Sequence, residues 1–184
     1  MNEEHRREFT AFVHARSAAL LRTAYLLTGG DAHLAQDLVQ ASLVKTWRAW
    51  GSIESREAPD AFVRRVMVTT STSWWRRRWW GERPTAETPE PPGRDIGAHG
   101  EWDGVDARLT LMAALRRLPP RQRAAVVLRY YEDLPEADVA RLMGTGTAAV
   151  RSQASRGLTK LRADGALAPW AHHPTTHDVL EDRL

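Results

Sequence analysis

Cysteine is absent from the 184 residues, which excludes disulfides, thiolate metal sites and a cysteine nucleophile together. Lysine is nearly absent, with only Lys45 and Lys160 among 26 basic side chains. Arginine therefore carries the positive charge, and its planar fork suits bidentate phosphate contacts and stacking on aromatic faces. No apolar run approaches the roughly 20 residues that span a bilayer, so membrane insertion is not expected. The opening MNEEHRREF lacks the apolar core of a secretory signal, and the expected location is the cytoplasm. Gly-rich phosphate loops, Gly-x-Ser-x-Gly elbows and His-Glu-x-x-His helices are missing too. The sequence thus gives no support to an enzyme, a cofactor or a small-molecule substrate. His172, His173 and His177 with Asp178 could form a weak zinc cluster. They sit in a Pro- and Thr-containing tail, however, and a metal site is not expected there.

What is present is charge in blocks. The formal net charge is only +3, but residues 1–83 carry 13 basic and 9 acidic side chains, whereas 84–105 carry 1 and 5. Residues 106–162 carry 11 and 5, and 163–184 carry 1 and 4. Two basic blocks alternating with acidic segments suit polyanion-binding units separated by a non-binding connector. The connector contains PTAETPEPPG and few apolar residues, the composition of an extended linker. The expected organisation is a first domain over 1–83, a flexible acidic linker over 84–105, a second domain over 106–163 and a tail over 164–184.

Apolar spacing is helical throughout, and the expected fold class is all-α, with two small helical domains. Phe9, Phe12, Leu20, Ala24 and Leu27 mark a first helix that Gly29 and Gly30 end. Asp31 is placed to cap the next, whose expected apolar stripe is Val39, Leu43, Trp47 and Trp50. A loop over 52–59 leads to a helix over about 60–80, with Phe62, Val63, Val66 and Met67 facing inward. In the second domain, Leu111, Leu115 and Leu118 mark a helix broken by Pro119 and Pro120. A helix over 121–131 follows.

Two segments carry function. LPEADVARLMGTGTAAVRSQASRGLTKLR has the layout of a helix-turn-helix: a short helix, a Gly-containing turn at Gly144, and a longer helix over 147–163. Ala140 falls where the two helices must cross closely, and Val139, Leu142 and Val150 form their shared core. The second helix then offers Arg151, Ser152, Gln153, Ser155, Arg156 and Lys160 to a major groove, where Arg can read guanine and Gln adenine. The alternative is a helical hairpin with a solvated basic face. The other segment, Trp74-Trp75-Arg76-Arg77-Arg78-Trp79-Trp80, places four Trp around three Arg. One helix face cannot bury all four rings. Arg on phosphates and aromatic rings on unstacked bases suit melted nucleic acid. The alternative is that some of these Trp are core and others are shielded by arginine stems.

Taken in order, these residues resemble an extracytoplasmic-function (ECF) sigma factor, of a sigma-E-like subfamily found in high-GC bacteria. DAHLAQDLVQASLVKTWRAW is similar to the family's region 2.2, and APDAFVRRVMVTTSTSWWRRRWW to regions 2.3 and 2.4. LRRLPPRQRAAVVLRYYEDLPEADVARLMG is similar to region 4.1 and the start of 4.2, and AAVRSQASRGLTKLR lies where the recognition helix is found. The resemblance implies binding to core RNA polymerase, at the clamp of its largest subunit and the flap of its second largest. It also implies recognition of promoter DNA, and an anti-sigma factor is a common partner.

The resemblance places clamp contacts at Asp37, Leu38, Gln40, Lys45 and Arg48. It places −10 contacts at Ser52, Glu54, Ser55 and Arg56, in the loop that captures a flipped base, and at Arg64, Arg65, Thr69, Trp74, Trp75, Arg76, Arg77 and Arg78. The −35 contacts fall on Arg121, Thr147, Ala149, Arg151, Ser152, Gln153, Ser155, Arg156 and Lys160. Gly146 stands where a Ser-like cap is common, so Thr145 or Thr147 is expected to cap the recognition helix. A stand-alone helix-turn-helix regulator is the rival reading. It gives no reason for DLVQ…WRAW followed by a basic aromatic helix. A helical adaptor that binds polymerase alone gives no reason for the basic second domain.

Overall fold

The computed structural model describes residues 3–53, 58–81 and 105–165. Among them the secondary structure is entirely helical: α1 (Glu3–Leu27), α2 (Ala32–Ala49), α3 (Ala58–Gly81), α4 (Val105–Arg117), α5 (Pro120–Val126), α6 (Glu136–Met143) and α7 (Thr147–Ala163). A 3₁₀ turn over Trp50–Ser52 extends α2, and a π-helical turn over Val127–Tyr131 extends α5. Residues 82–104, which hold nearly all of the acidic linker, and the tail beyond residue 165 with its histidine cluster lie outside the described residues. No helix among the described residues is long and apolar enough to cross a membrane.

The α1–α2 corner follows from its sequence. Gly29 and Gly30 take positive φ of 70° and 86°, which lets their amides return to Leu26 O (3.1 Å) and Tyr25 O (2.8 Å). Thr28 satisfies its buried hydroxyl on Ala24 O at 2.9 Å. Asp31 then caps α2 as expected, its Oδ1 accepting from the Leu34 amide at 2.9 Å.

In the N-terminal half, α1, α2 and α3 close around Leu20, Ala24, Leu27, Ala35, Leu38, Val63, Met67 and Val68. The fully buried line of α2 is Ala35, Leu38, Ser42 and Thr46; of the expected stripe, Val39 and Leu43 pack against the core half-buried, and Trp47 and Trp50 do not belong to it. Leu38 fills this line as one of the larger fully buried side chains, with the small Ala35, Ser42 and Thr46 above and below it. Thr46 satisfies its hydroxyl on Ser42 O at 2.9 Å. The large rings pack at the outer end instead. Phe9 lies 4.9 Å from Trp47 and 5.0 Å from Trp50, ring centroid to centroid, and Phe12 lies 5.3 Å from Trp50.

In the C-terminal half, α5 and α7 approach closely because residue 157 is glycine. A Cβ there would stand 2.6 Å from Val126 Cγ2 and 3.3 Å from Gln122 O. Val139, Ala140, Leu142 and Val150 form the α6–α7 core as expected. Gly144 ends α6 in the left-handed conformation at φ 61°. α7 differs from expectation at its start. Its cap is Gly146, in extended backbone, and neither Thr145 nor Thr147 bonds to it through a side chain. The two halves lie against each other, and one buried apolar cluster runs through both.

Candidate nucleic-acid and polymerase interface

The exposed face of α7 is where the sequence places promoter contacts. Thr147, Ala149, Arg151, Ser155, Arg156 and Lys160 are exposed, with Ser152 and Gln153 half-buried beside them. Val150, Ala154, Gly157 and Leu161 hold the opposite face in the core. Arg121 is exposed in the first turn of α5. A helix held in the core by one face, with arginines on its exposed face, suits major-groove reading.

Arg151 is not a loose side chain. Its Nη2 donates to Glu136 Oε2 at 2.8 Å and its Nε to Oε1 at 3.3 Å, across the helix-turn-helix. The hydrogen bond and charge of Arg151 hold the Glu136 carboxyl below its usual range, and Glu136 raises the Arg151 guanidinium in return. Glu136 had no signal in the sequence, because the pair spans 15 residues and depends on the angle between α6 and α7. Deeper in the same half, Arg123 is fully buried, and desolvation with the nearby Arg116 lowers its pKa to about 10.

On α2, Asp37, Gln40, Lys45 and Arg48 are exposed and share a face with Val44, itself an exposed apolar side chain. Lys45 donates to Thr70 of α3 at 2.9 Å, which holds its stem along the bundle. Leu38 is different. It is 0% exposed and belongs to the core, so it supports this face from beneath and offers it no contact.

The −10 residues divide. Thr69 and Arg65 are exposed along α3, with the Thr69 hydroxyl returned to Arg65 O at 2.9 Å. Ser52 is exposed and bonds to Ala49 O at 2.7 Å. Trp74 is half-buried and packs on the core, the structural alternative for that ring. Arg64 is half-buried and paired with Glu132 at 2.9 Å. Glu54, Ser55 and Arg56 lie outside the described residues, and so do the side chains of Trp75, Arg76, Arg77 and Arg78, although α3 runs through those four positions.

Comparison with known proteins agrees with this layout. The family model for Sigma-70 region 2 matches residues 12–81, and that for Sigma-70 region 4 matches residues 108–161. The RNA polymerase sigma-E factor of Streptomyces coelicolor is 39% identical over 158 residues, covering 85% of each chain. That of Streptomyces avermitilis is 38% identical over 157 residues, covering 85% of this chain and 84% of the relative. The ECF sigma factor SigG of Mycobacterium tuberculosis is 28% identical over 97% of this chain and 55% of its own. Among solved structures, the sigma factor RpoE of Bartonella quintana, in complex with the anti-sigma factor NepR, shares the fold. Its TM-score is 0.67 at 22% identity, over 86% of this chain and 96% of that one. Both basic halves, the helix-turn-helix and the α2–α3 unit thus have their counterparts in order, and the chain belongs to the ECF sigma factors of the sigma-70 family, similar to the sigma-E factors of Streptomyces.

Proposed function

We propose that each half of this sigma factor reads one promoter element through the residues its helices expose. The chain is a non-enzymatic initiation factor that binds core RNA polymerase and promoter DNA. In our reading, Asp37, Gln40, Lys45 and Arg48 of α2 dock on the clamp of the largest subunit, around Val44. Arg65, Thr69 and the arginines at 76–78 follow the melted −10 strand, and the loop 52–56 takes the flipped base. The C-terminal half sits at the flap of the second-largest subunit, and α7 reads the −35 duplex through Arg151, Gln153, Ser155, Arg156 and Lys160, with Arg121 on the backbone. The protein acts in the cytoplasm, and an anti-sigma factor is a further partner. The observation that carries this reading is the polar face of α7, whose opposite face is locked in the core.

Neither module alone buries enough surface to bind promoter DNA tightly. The polymerase supplies the frame that makes the second contact intramolecular. The test adds the full chain to sigma-free core polymerase with a pool of genomic fragments. Promoter-specific transcripts are expected. Duplex binding without specific initiation refutes the reading and favours a stand-alone regulator.

A further inference from the structure

The contact between the two halves is built, not incidental. Glu132, at the end of the π-helical turn, reaches from the C-terminal half to the N-terminal half with its side chain only 10% exposed. There it accepts from the Arg64 guanidinium of α3 at 2.9 Å and from the Thr23 hydroxyl of α1. Two further features close the same seam. Arg116 Nε donates to Gly29 O at 3.1 Å. The Gly29–Gly30 corner presses so closely on α4 that a Cβ at Gly29 would stand 2.8 Å from Arg116 Cα, and one at Gly30 3.0 Å from Met112 Cβ. Beside the latch, Phe62, Arg64 and Arg65 of α3 face Leu134, Asp138 and Leu142 across a cleft of about 350 Å³.

This closed shape conflicts with reading two elements at once. Sites centred at −10 and −35 lie about 25 base pairs apart, or about 85 Å of duplex. A compact chain of this length is about 40 Å across. Arg64, on the helix that carries the −10 residues, is also occupied by Glu132.

We propose that Glu132 is an intramolecular latch: away from polymerase it holds the C-terminal half on the N-terminal half and occupies Arg64, so the chain must open before both elements are read. Closure itself does not depend on the assigned promoter contacts; its consequence for DNA rests on the function proposed above. Glu132 suits the task because it meets a cation and a hydroxyl from two different helices of the other half. Removing it leaves a half-buried guanidinium uncompensated, a shift of about tenfold or more in the closed-to-open ratio.

The absence of cysteine makes the test direct. Ala15→Cys on α1 and Ala163→Cys on α7, both exposed, give two unique dye sites in the full chain. Energy transfer between them is measured without DNA or polymerase. The wild-type background is expected to show high transfer, falling in Glu132→Arg and recovering in the swap Arg64→Glu/Glu132→Arg. Core polymerase is expected to lower transfer in the wild type. Circular dichroism checks that helix content is kept. If Glu132→Arg loses helix, Glu132→Gln and the charge swap are read in its place. Low transfer in the wild type, or transfer indifferent to Glu132 and to the swap, overturns the latch. Promoter-specific transcription by the same proteins reports separately on the sigma function, so loss of one result does not imply loss of the other.

Discussion

Replacing Gly29 with alanine loads the seam between the two halves in a calculable way. Its φ of 70° is left-handed, which costs an L-residue about 1–2 kcal/mol. The new Cβ would also stand 2.6 Å from Arg123 Nη1 and 2.8 Å from Arg116 Cα. The second atom is backbone, so α4 itself must retreat, and overpacking of this kind costs about 1–3 kcal/mol. Gly144→Ala is the control, because its φ of 61° is similar and nothing lies within 4 Å of the Cβ. At about 2–4 °C per kcal/mol for a chain of this size, Gly144→Ala should lower Tm by several degrees and Gly29→Ala by roughly twice as much. If the halves can part, Gly29→Ala escapes some of that cost by opening, and energy transfer between dyes at residues 15 and 163 falls while it stays high in the control. Equal Tm and equal transfer for the two variants would refute the reasoning, since the contribution of the C-terminal half to Gly29 would then be nil.

The remaining expectations concern named side chains. Arg156→Ala should weaken −35 binding and reduce the slope of log K against log salt by about 1 if it meets a phosphate; an unchanged affinity removes it from the interface. The Glu136 carboxyl titrates below its ordinary range because of Arg151. Its tie to α7 is therefore present above the ordinary carboxylate value and lost as pH falls through the depressed one. Carboxylate NMR should show the low midpoint returning to normal in Arg151→Ala, and a midpoint indifferent to Arg151 contradicts the pair. Leu38→Ala should cost about 2–5 kcal/mol in thermal or denaturant unfolding, as for a fully buried leucine. Its folded fraction should still bind core polymerase with wild-type affinity, and a loss of affinity at unchanged stability would return Leu38 to the contact surface. Trp74→Ala, half-buried on the core, should lower stability by about 1–3 kcal/mol. A defect in promoter opening at unchanged Tm would instead make that ring a base-stacking group.

Much of the local architecture is legible in residue order. The Gly29–Gly30 stop, the Asp31 cap, the Pro119–Pro120 break and the Gly144 turn each act through the chemistry of one or two residues, and each appears where expected. The helix-turn-helix core of Val139, Leu142 and Val150 follows from spacing alone. The failures share a cause. Apolar spacing places Val39 and Leu43 against the core, where they are, but gives no sign that Ala35, Leu38, Ser42 and Thr46 form the line the three-helix bundle buries completely, nor that Trp47 and Trp50 pack on α1 instead. The resemblance places Leu38 on the clamp-facing surface, but helix packing buries it completely. Residue type points to Thr145 or Thr147 as the cap of α7, yet the backbone at Gly146 enters the helix with no side-chain bond.

By itself, then, the sequence determined the helices, their ends, the order of the two basic halves and the family to which they belong. The helices and their ends follow from the period of apolar residues and from turn chemistry, which act over a few positions, whereas the family follows from the likeness of whole segments, in order, to those of known sigma factors. Only the tertiary structure decided which charges are paired within the protein. Arg151 meets Glu136 across 15 residues and Arg64 meets Glu132 across 68. Ion pairs over such separations depend on how whole helices dock, and that docking follows from shared burial rather than from any local pattern.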